Sequence, residues 1–239
     1  MERKFDGCVG VDGARSGWIA VWRQNGGLGW HVYGNARALV EGHPLAEVIA
    51  VDVPIGLSDH GRRVADNEAR KFVGGKRACS IFSTPVRGIL DARTQPEASS
   101  LHRQIDGRGF GAQSFAILSK IREWDDLLQS DPLARKVVYE VHPEVSFAAL
   151  SGGAGRGLKA GKRTPEGVSA RSALLATTFG EGAIVALLLA VPRREAAADD
   201  VFDALAALWS AERIREGVAR SLPKILQLDS VGLDAAIWY

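Results

Sequence analysis

Two short apolar segments each carry one aspartate. Cys8–Asp12 (CVGVD) ends on Asp12, and Glu47–Val53 (EVIAVDV) holds Asp52 just before Pro54. A carboxylate without a partner is costly to bury in an apolar strand, so a residue of this kind needs a role. A third acidic set, Asp199, Asp200 and Asp203, heads an Ala/Leu-rich stretch. Asp200 and Asp203 are three apart and share a helical face. Asp199 or Asp200 can cap that helix, but Asp203 lies one turn inside, where capping does not explain it. If the two strands are parallel neighbours, both of their carboxylates emerge near the same sheet edge. Carboxylates converging there from two strands and one helix make a hard-oxygen site suited to Mg²⁺ or Mn²⁺. Two such ions about 4 Å apart can activate a water and stabilise the leaving oxygen of a phosphodiester.

Glu140-Val141-His142-Pro143-Glu144 supplies further candidates. Glu140 and His142 point to the same face of a strand. Glu140 is read as another catalytic carboxylate or a support for one. His142 is read as positioning a water or contacting phosphate, and Glu144 as capping the next helix. Two segments are basic: Gly61–Arg77, and a Gly-rich loop with its extension, Gly152–Arg171. Their Arg62, Arg63, Arg70, Arg77, Lys159, Lys162 and Arg163 are the expected contacts to backbone phosphates. Phe72 and Phe82 are the only aromatic residues near these segments that can stack on a base. Other motifs fail. Gly155–Thr164 is not a phosphate loop, because Arg156 stands where the first glycine belongs and Arg163 follows Lys162. Neither cysteine has the local context of a nucleophile.

The elements that must position these residues are legible in outline. Cys8–Asp12, Gly17–Arg23 and Leu28–Tyr33 read as strands joined by short turns, with Asn25-Gly26-Gly27 a hairpin signal. Asn35–Gly42 reads as a short helix and Glu47–Val53 as a buried strand stopped by Pro54. Helices are expected over Arg63–Val73 and Gln113–Gln129, a strand over Arg135–Val141, and a long final helix from about Asp200 to Gly217. Three strands with short turns, then two that return through crossovers, give a mixed five-stranded α/β sheet flanked by helices.

Composition bounds the rest. The chain has 239 residues, 46% apolar and 24% charged, close to the globular average, which excludes a disordered, collagen-like or coiled-coil chain. Lys and Arg number 30 against 28 Asp and Glu, so attraction to a polyanion must come from local clusters. Two cysteines make neither a disulfide framework nor a four-cysteine zinc site, so a cytoplasmic protein is expected. Met1–Gly7 is charged and no apolar run follows it, so no secretory leader is expected. The longest apolar run, Ala183–Val191, is too short to span a bilayer.

Gly10-Val11-Asp12 followed by Gly17-Trp18 resembles the opening of ribonuclease H-like nucleases. Asp200-Val201-Phe202-Asp203-Ala204 resembles the final-helix motif of RuvC-type Holliday junction resolvases. The chain as a whole resembles the DUF429 family of predicted ribonuclease H-like nucleases. The matching pieces are Val9–Asp12 with Gly17-Trp18, Asp52–Leu57, Arg77–Arg87, Glu140–Glu144 and the Asp199–Trp209 helix. The resemblance implies a single ribonuclease H-like domain over residues 1–239, with helical and basic insertions at about 58–134 and 150–198. It implies a two-metal nuclease in which Asp12 bridges the ions and Asp52, Asp200 and Asp203 are ligands. RuvC-type enzymes carry Glu where this chain has Asp52, one methylene shorter. They act as dimers, so a homodimer is a further expectation, and nucleic acid of unspecified type is the expected partner. Two other functions fit the same fold: a catalytically inactive nucleic-acid-binding module, and a nucleotide-binding ATPase or kinase-like protein.

Overall fold

A computed structural model describes residues 5–239, apart from the side chains of Phe5, Asp6 and Lys76; of the charged segment Met1–Gly7, residues 1–4 lie outside the described part. Strands β1 (Phe5–Ala14), β2 (Gly17–Gln24) and β3 (Gly27–Tyr33) form an antiparallel meander. Asn25 and Gly26 both take positive φ, 52° and 77°, in the two-residue turn whose twist matches the flanking strands. Helix α1 (Ala36–Gly42) is capped by Asn35, whose side chain accepts from the Ala38 N–H at 2.8 Å. Strand β4 (Val48–Val51) then lies parallel to β1. Helices α2 (Val64–Val73), α3 (Gln95–Asp106), α4 (Ala112–Phe115), α5 (Leu118–Ser130) and α6 (Pro132–Val137) follow, and β5 (Val138–Glu140) returns parallel to β4. The sheet order is β3-β2-β1-β4-β5, the three-antiparallel, two-parallel arrangement expected from the sequence. Helices α7 (Pro143–Leu150), α8 (Pro165–Phe179), α9 (Glu181–Ala190) and α10 (Ala198–Arg215) come next, then a small ribbon of β6 (Ser221–Leu222) and β7 (Ile237–Trp238).

Three boundaries differ from the sequence reading. The helix expected over Gln113–Gln129 is broken into α4 and α5 at Ala116-Ile117. The strand expected over Arg135–Val141 is helical until Val137. Asp131 accepts from the Leu133 and Ala134 N–H groups and Pro132 stands in the first turn, so a helix starts where β-branched residues alone suggested a strand. The final helix begins at Ala198 instead of Asp200, and Asp200 reaches back to the Ala197 N–H at 2.9 Å from within the first turn. Its end is as read: Gly217 follows with φ of 71°. Among the described residues no single helix is long and apolar enough to cross a membrane; α8 and α9 together pass by length and composition but are bent by 115°.

The two faces of the sheet are packed separately. Val9, Val11, Ile49 and Val51 face a core completed by Trp124, Ile121 and Leu39, while Cys8, Val48 and Ala50 face one completed by α10 and α8. The period of two along β1 puts Gly10 on the α10 side. A Cβ on Gly10 would overlap the Ala204 carbonyl oxygen and the Leu208 amide nitrogen, so α10 lies directly on the β1 backbone. Asp12 is two residues further along the same face. Asp200 and Asp203 come before Ala204 and Leu208 on the helix that covers it. Backbone contact at Gly10 thus sets how close the helix carboxylates come to the strand carboxylate. Gly10→Ala must push α10 outward, and we expect a loss of about 3 kcal/mol in urea unfolding, at the upper end for overpacking; a loss within error would show that the contact is slack.

Candidate active site

The parallel register of β1 and β4 pairs Val11 with Val51, and the Asp52 N–H donates to the Val11 carbonyl at 3.0 Å. Asp12 and Asp52 are therefore side by side, one step past the last pair. Asp12 and Asp203 are buried, and Asp52 and Asp200 half-buried. All four line one cavity of about 570 Å³. The structure thus brings Asp12, Asp52, Asp200 and Asp203 to one place.

Their electrostatics reflect that crowding. Burial, then repulsion from Asp52, Asp203 and Asp200, pushes Asp12 well above the usual carboxylate range. Burial pushes Asp52 up to about 7 and Asp203 up to about 6, although Lys162 opposes both shifts. Burial also raises Asp200, against the hydrogen bond from Ala197. The nearest counter-charge is Lys162, from the loop between α7 and α8. Its Nζ donates to Asp203 Oδ2 at 3.0 Å and lies 3.3 Å from Asp199 Oδ2. Burial disfavours the Lys162 cation, but Asp203 and its neighbours outweigh that and hold its pKa above the ordinary value. Burial would raise Asp199 too, yet Lys162 and Arg163 (3.1 Å) hold it below the usual range.

Several residues expected in the site have other partners. Glu140 spends both oxygens elsewhere: Oε1 accepts from Arg63 Nη2 at 2.7 Å, and Oε2 from Arg63 Nη1 at 2.8 Å and from the Ile55 N–H at 2.6 Å. Both oxygens of Glu140 are thus engaged by Arg63 and the β4 exit. Arg63, expected on a phosphate, is buried. It donates also to Asp66 Oδ1 at 2.7 Å and to the Ile55 and Gly56 carbonyls at 2.7 and 3.0 Å. Burial disfavours the Arg63 cation, but Asp66 and Glu140 more than compensate. This knot ties the exit of β4, the start of α2 and the end of β5 together, and Arg63, Asp66 and Glu140 line the same cavity as the aspartates. Arg70 bonds the Ile81 carbonyl and Ser83 Oγ, both at 3.1 Å, and so braces the cavity wall.

The remaining candidates are more accessible. His142 is half-buried and caps α7, its Nδ1 accepting from the Glu144 N–H at 3.2 Å, and burial lowers its pKa. The capping expected of Glu144 therefore falls to His142; Glu144 pairs with buried Arg171 at 2.6 Å. Arg77 lines the cavity 4.0 Å from Glu144, while Arg62, Lys159 and Arg163 are exposed. Lys120 escaped the sequence reading because a lysine within a helix looks like solvated surface. Its Nζ donates to the Ala14 and Gly17 carbonyls at 3.2 and 2.6 Å and sits 4.3 Å from the Trp18 ring, a cation at the mouth of the β1–β2 turn.

Among the described residues no three His, Cys, Asp or Glu side chains are gathered closely enough to hold a metal ion as they stand. The chemistry of the donors nevertheless fits a hard divalent cation. They are oxygens, they are crowded enough to raise one another's pKa, and the cation hydrogen-bonded to one of them is a lysine on a glycine-rich loop.

Fold and site together define an α/β protein with an acidic centre built from two parallel strands and a long helix. The chain belongs to the DUF429 family, described as a protein family of unknown function, which it matches over residues 10–226. No curated protein and no solved structure gives a match.

Two expectations follow. Arg63→Met leaves Glu140 and Asp66 buried without their cation, and should cost about 3–5 kcal/mol in denaturant unfolding; a surface phosphate contact would cost almost nothing. Asp52 binds its proton more tightly folded than unfolded, so metal-free stability falls as pH rises from 3.8 through about 7. Asp52→Asn should flatten that slope and raise the melting midpoint above neutrality by a few degrees, on the order of 1 kcal/mol. An unchanged slope would mean that burial does not raise the proton affinity of Asp52.

Proposed function

We propose that the protein is a divalent-metal-dependent nuclease that hydrolyses nucleic-acid phosphodiesters. The observation that carries this reading is the convergence of Asp12, Asp52, Asp200 and Asp203 on one cavity at the cost of their mutual repulsion. Lys162 offsets only part of this crowding, since Asp52 and Asp203 stay raised beside it, and a bound divalent cation would offset the rest, which argues against an inactive binding module. The topology agrees with the ribonuclease H-like resemblance, and RuvC-type enzymes build their centre from the corresponding strands and helix.

Asp12, Asp52, Asp200 and Asp203 are the residues that would hold Mg²⁺ or Mn²⁺, which when bound lowers the pKa of water and offsets charge developing on the phosphate. The chain's own contribution is placement. The β1 and β4 backbones fix Asp12 and Asp52 side by side. The first turns of α10 present Asp200 and Asp203 to them. Lys162, drawn away from Asp203, can meet a phosphate oxygen, with Arg77 and Lys120 as further cations at the cavity wall. Exposed Arg62, Lys159 and Arg163 would steer the polyanion toward the mouth. No side-chain nucleophile is needed, because positioning and charge account for the acceleration. A cytoplasmic setting and a homodimer go with this reading as proposals.

The test is cleavage of a labelled panel of single strands, duplexes, RNA–DNA hybrids and four-way junctions in Mn²⁺ or Mg²⁺. Asp203→Asn should fold normally and lose at least about 100-fold in rate, the order seen when one charge-stabilising group is removed. Cleavage by the variant at the wild-type rate, or none by folded wild type, would overturn the proposal.

A further inference from the structure

The acidic centre lines a recess. Asp12 is 7% and Asp203 5% exposed. The cavity above them, about 570 Å³, is walled on one side by Cys79–Pro85 and on the other by Ser114, Ile117 and Ile121. Both walls belong to the segment between β4 and β5, outside the sheet. A recess of this size is in the range that encloses a single small ligand. A base-paired helix keeps its bases stacked within it, and offers none to a recess of this kind without opening. One unstacked nucleotide can enter.

The wall carries the groups such a nucleotide needs. Ile81 is 3% exposed, while its neighbour Phe82 is 46% exposed and still lines the cavity. A large aromatic half in water at the edge of a recess is the usual platform for a base. The other stacking candidate, Phe72, packs on the Tyr239 ring at a centroid distance of 4.6 Å. Ser80, Ser83 and Ser114 add hydroxyls for a base edge or sugar, and Arg77 and Lys120 add cations for phosphate.

We propose that the cavity takes one unstacked nucleotide, its phosphate toward the aspartates and its base on Phe82. The substrate is thus a nucleotide unit free of base pairing, at the end or within a flexible stretch of a single strand; an intact duplex is not a substrate. This rests on the reading of the acidic centre as a phosphodiester-hydrolysing site.

Binding tests it apart from turnover. Fluorescence anisotropy would compare a short labelled single strand with the same sequence as a blunt duplex in Mn²⁺, for wild type, Phe82→Ala and Phe82→Trp, with a mononucleotide as competitor. The single strand should bind at least about tenfold tighter than the duplex. Phe82→Ala should weaken the single strand by about 5- to 150-fold, the worth of one base stack, and Phe82→Trp should retain it. Competition by the mononucleotide assigns a free nucleotide as ligand; strand binding without that competition assigns the strand. Equal affinity for the duplex, or an unchanged affinity in Phe82→Ala, overturns the proposal. If this pattern holds but nothing is cleaved, the nuclease reading fails while the nucleotide site stands. If duplex is cut as readily as single strand, the nuclease reading stands and this one falls.

Discussion

The closeness of α10 to β1 is the constraint on which the rest of the molecule turns. It exists because position 10 has no side chain. With the helix against the strand backbone, Asp200 and Asp203 face Asp12, and the parallel pairing of β1 with β4 adds Asp52. Each of these facts is a matter of backbone geometry. The chemistry at the site is therefore only as well placed as the packing beneath it. The same closeness creates the electrostatic problem, since carboxylates cannot be crowded in a partly dry recess without raising one another's proton affinity.

Only one of the two cations that matter most to this region acts on that crowding. Arg63 is fixed, buried and shared between Asp66 and Glu140, and its charge is spent inside the protein. Lys162 is half-exposed and borne on a loop with several glycines, so its pairing with Asp203 is of the kind that can be exchanged. A buried ion pair holds architecture, and a pair at the rim of a recess is open to competition from solvent and ligand.

The mixed five-stranded sheet and the two strand aspartates were legible in the sequence, because a short apolar run carrying one acid is a strong signal. The hairpin at Asn25-Gly26 and the stop at Gly217 were legible for the same local reason. What escaped depended on contacts distant in the chain. Glu140 and Arg63 had the right types for a ligand and a phosphate contact, but only the fold reveals that they satisfy each other. Lys120 looked like surface until Ala14 and Gly17 were seen to face it. The helix at Pro132–Val137 was hidden by β-branched residues, although Asp131-Pro132 had already written its start. Helices α3 and α8 also went unread, although Thr94 with Pro96 and Thr164 with Pro165 are N-cap and first-turn signals of the same kind.

The distance in sequence between β1 and α10 has its own consequence. Asp12 is synthesised among the first residues and Asp203 among the last, and domains form largely in the order in which they are made. The nascent chain therefore carries half of a centre for most of its synthesis. Only the docking of α10 completes it, a contact of high sequence separation that is slow to form. Maturation of the acidic site and completion of the fold are then a single event, and a chain interrupted before α10 would carry the first two aspartates without the activity proposed for all four.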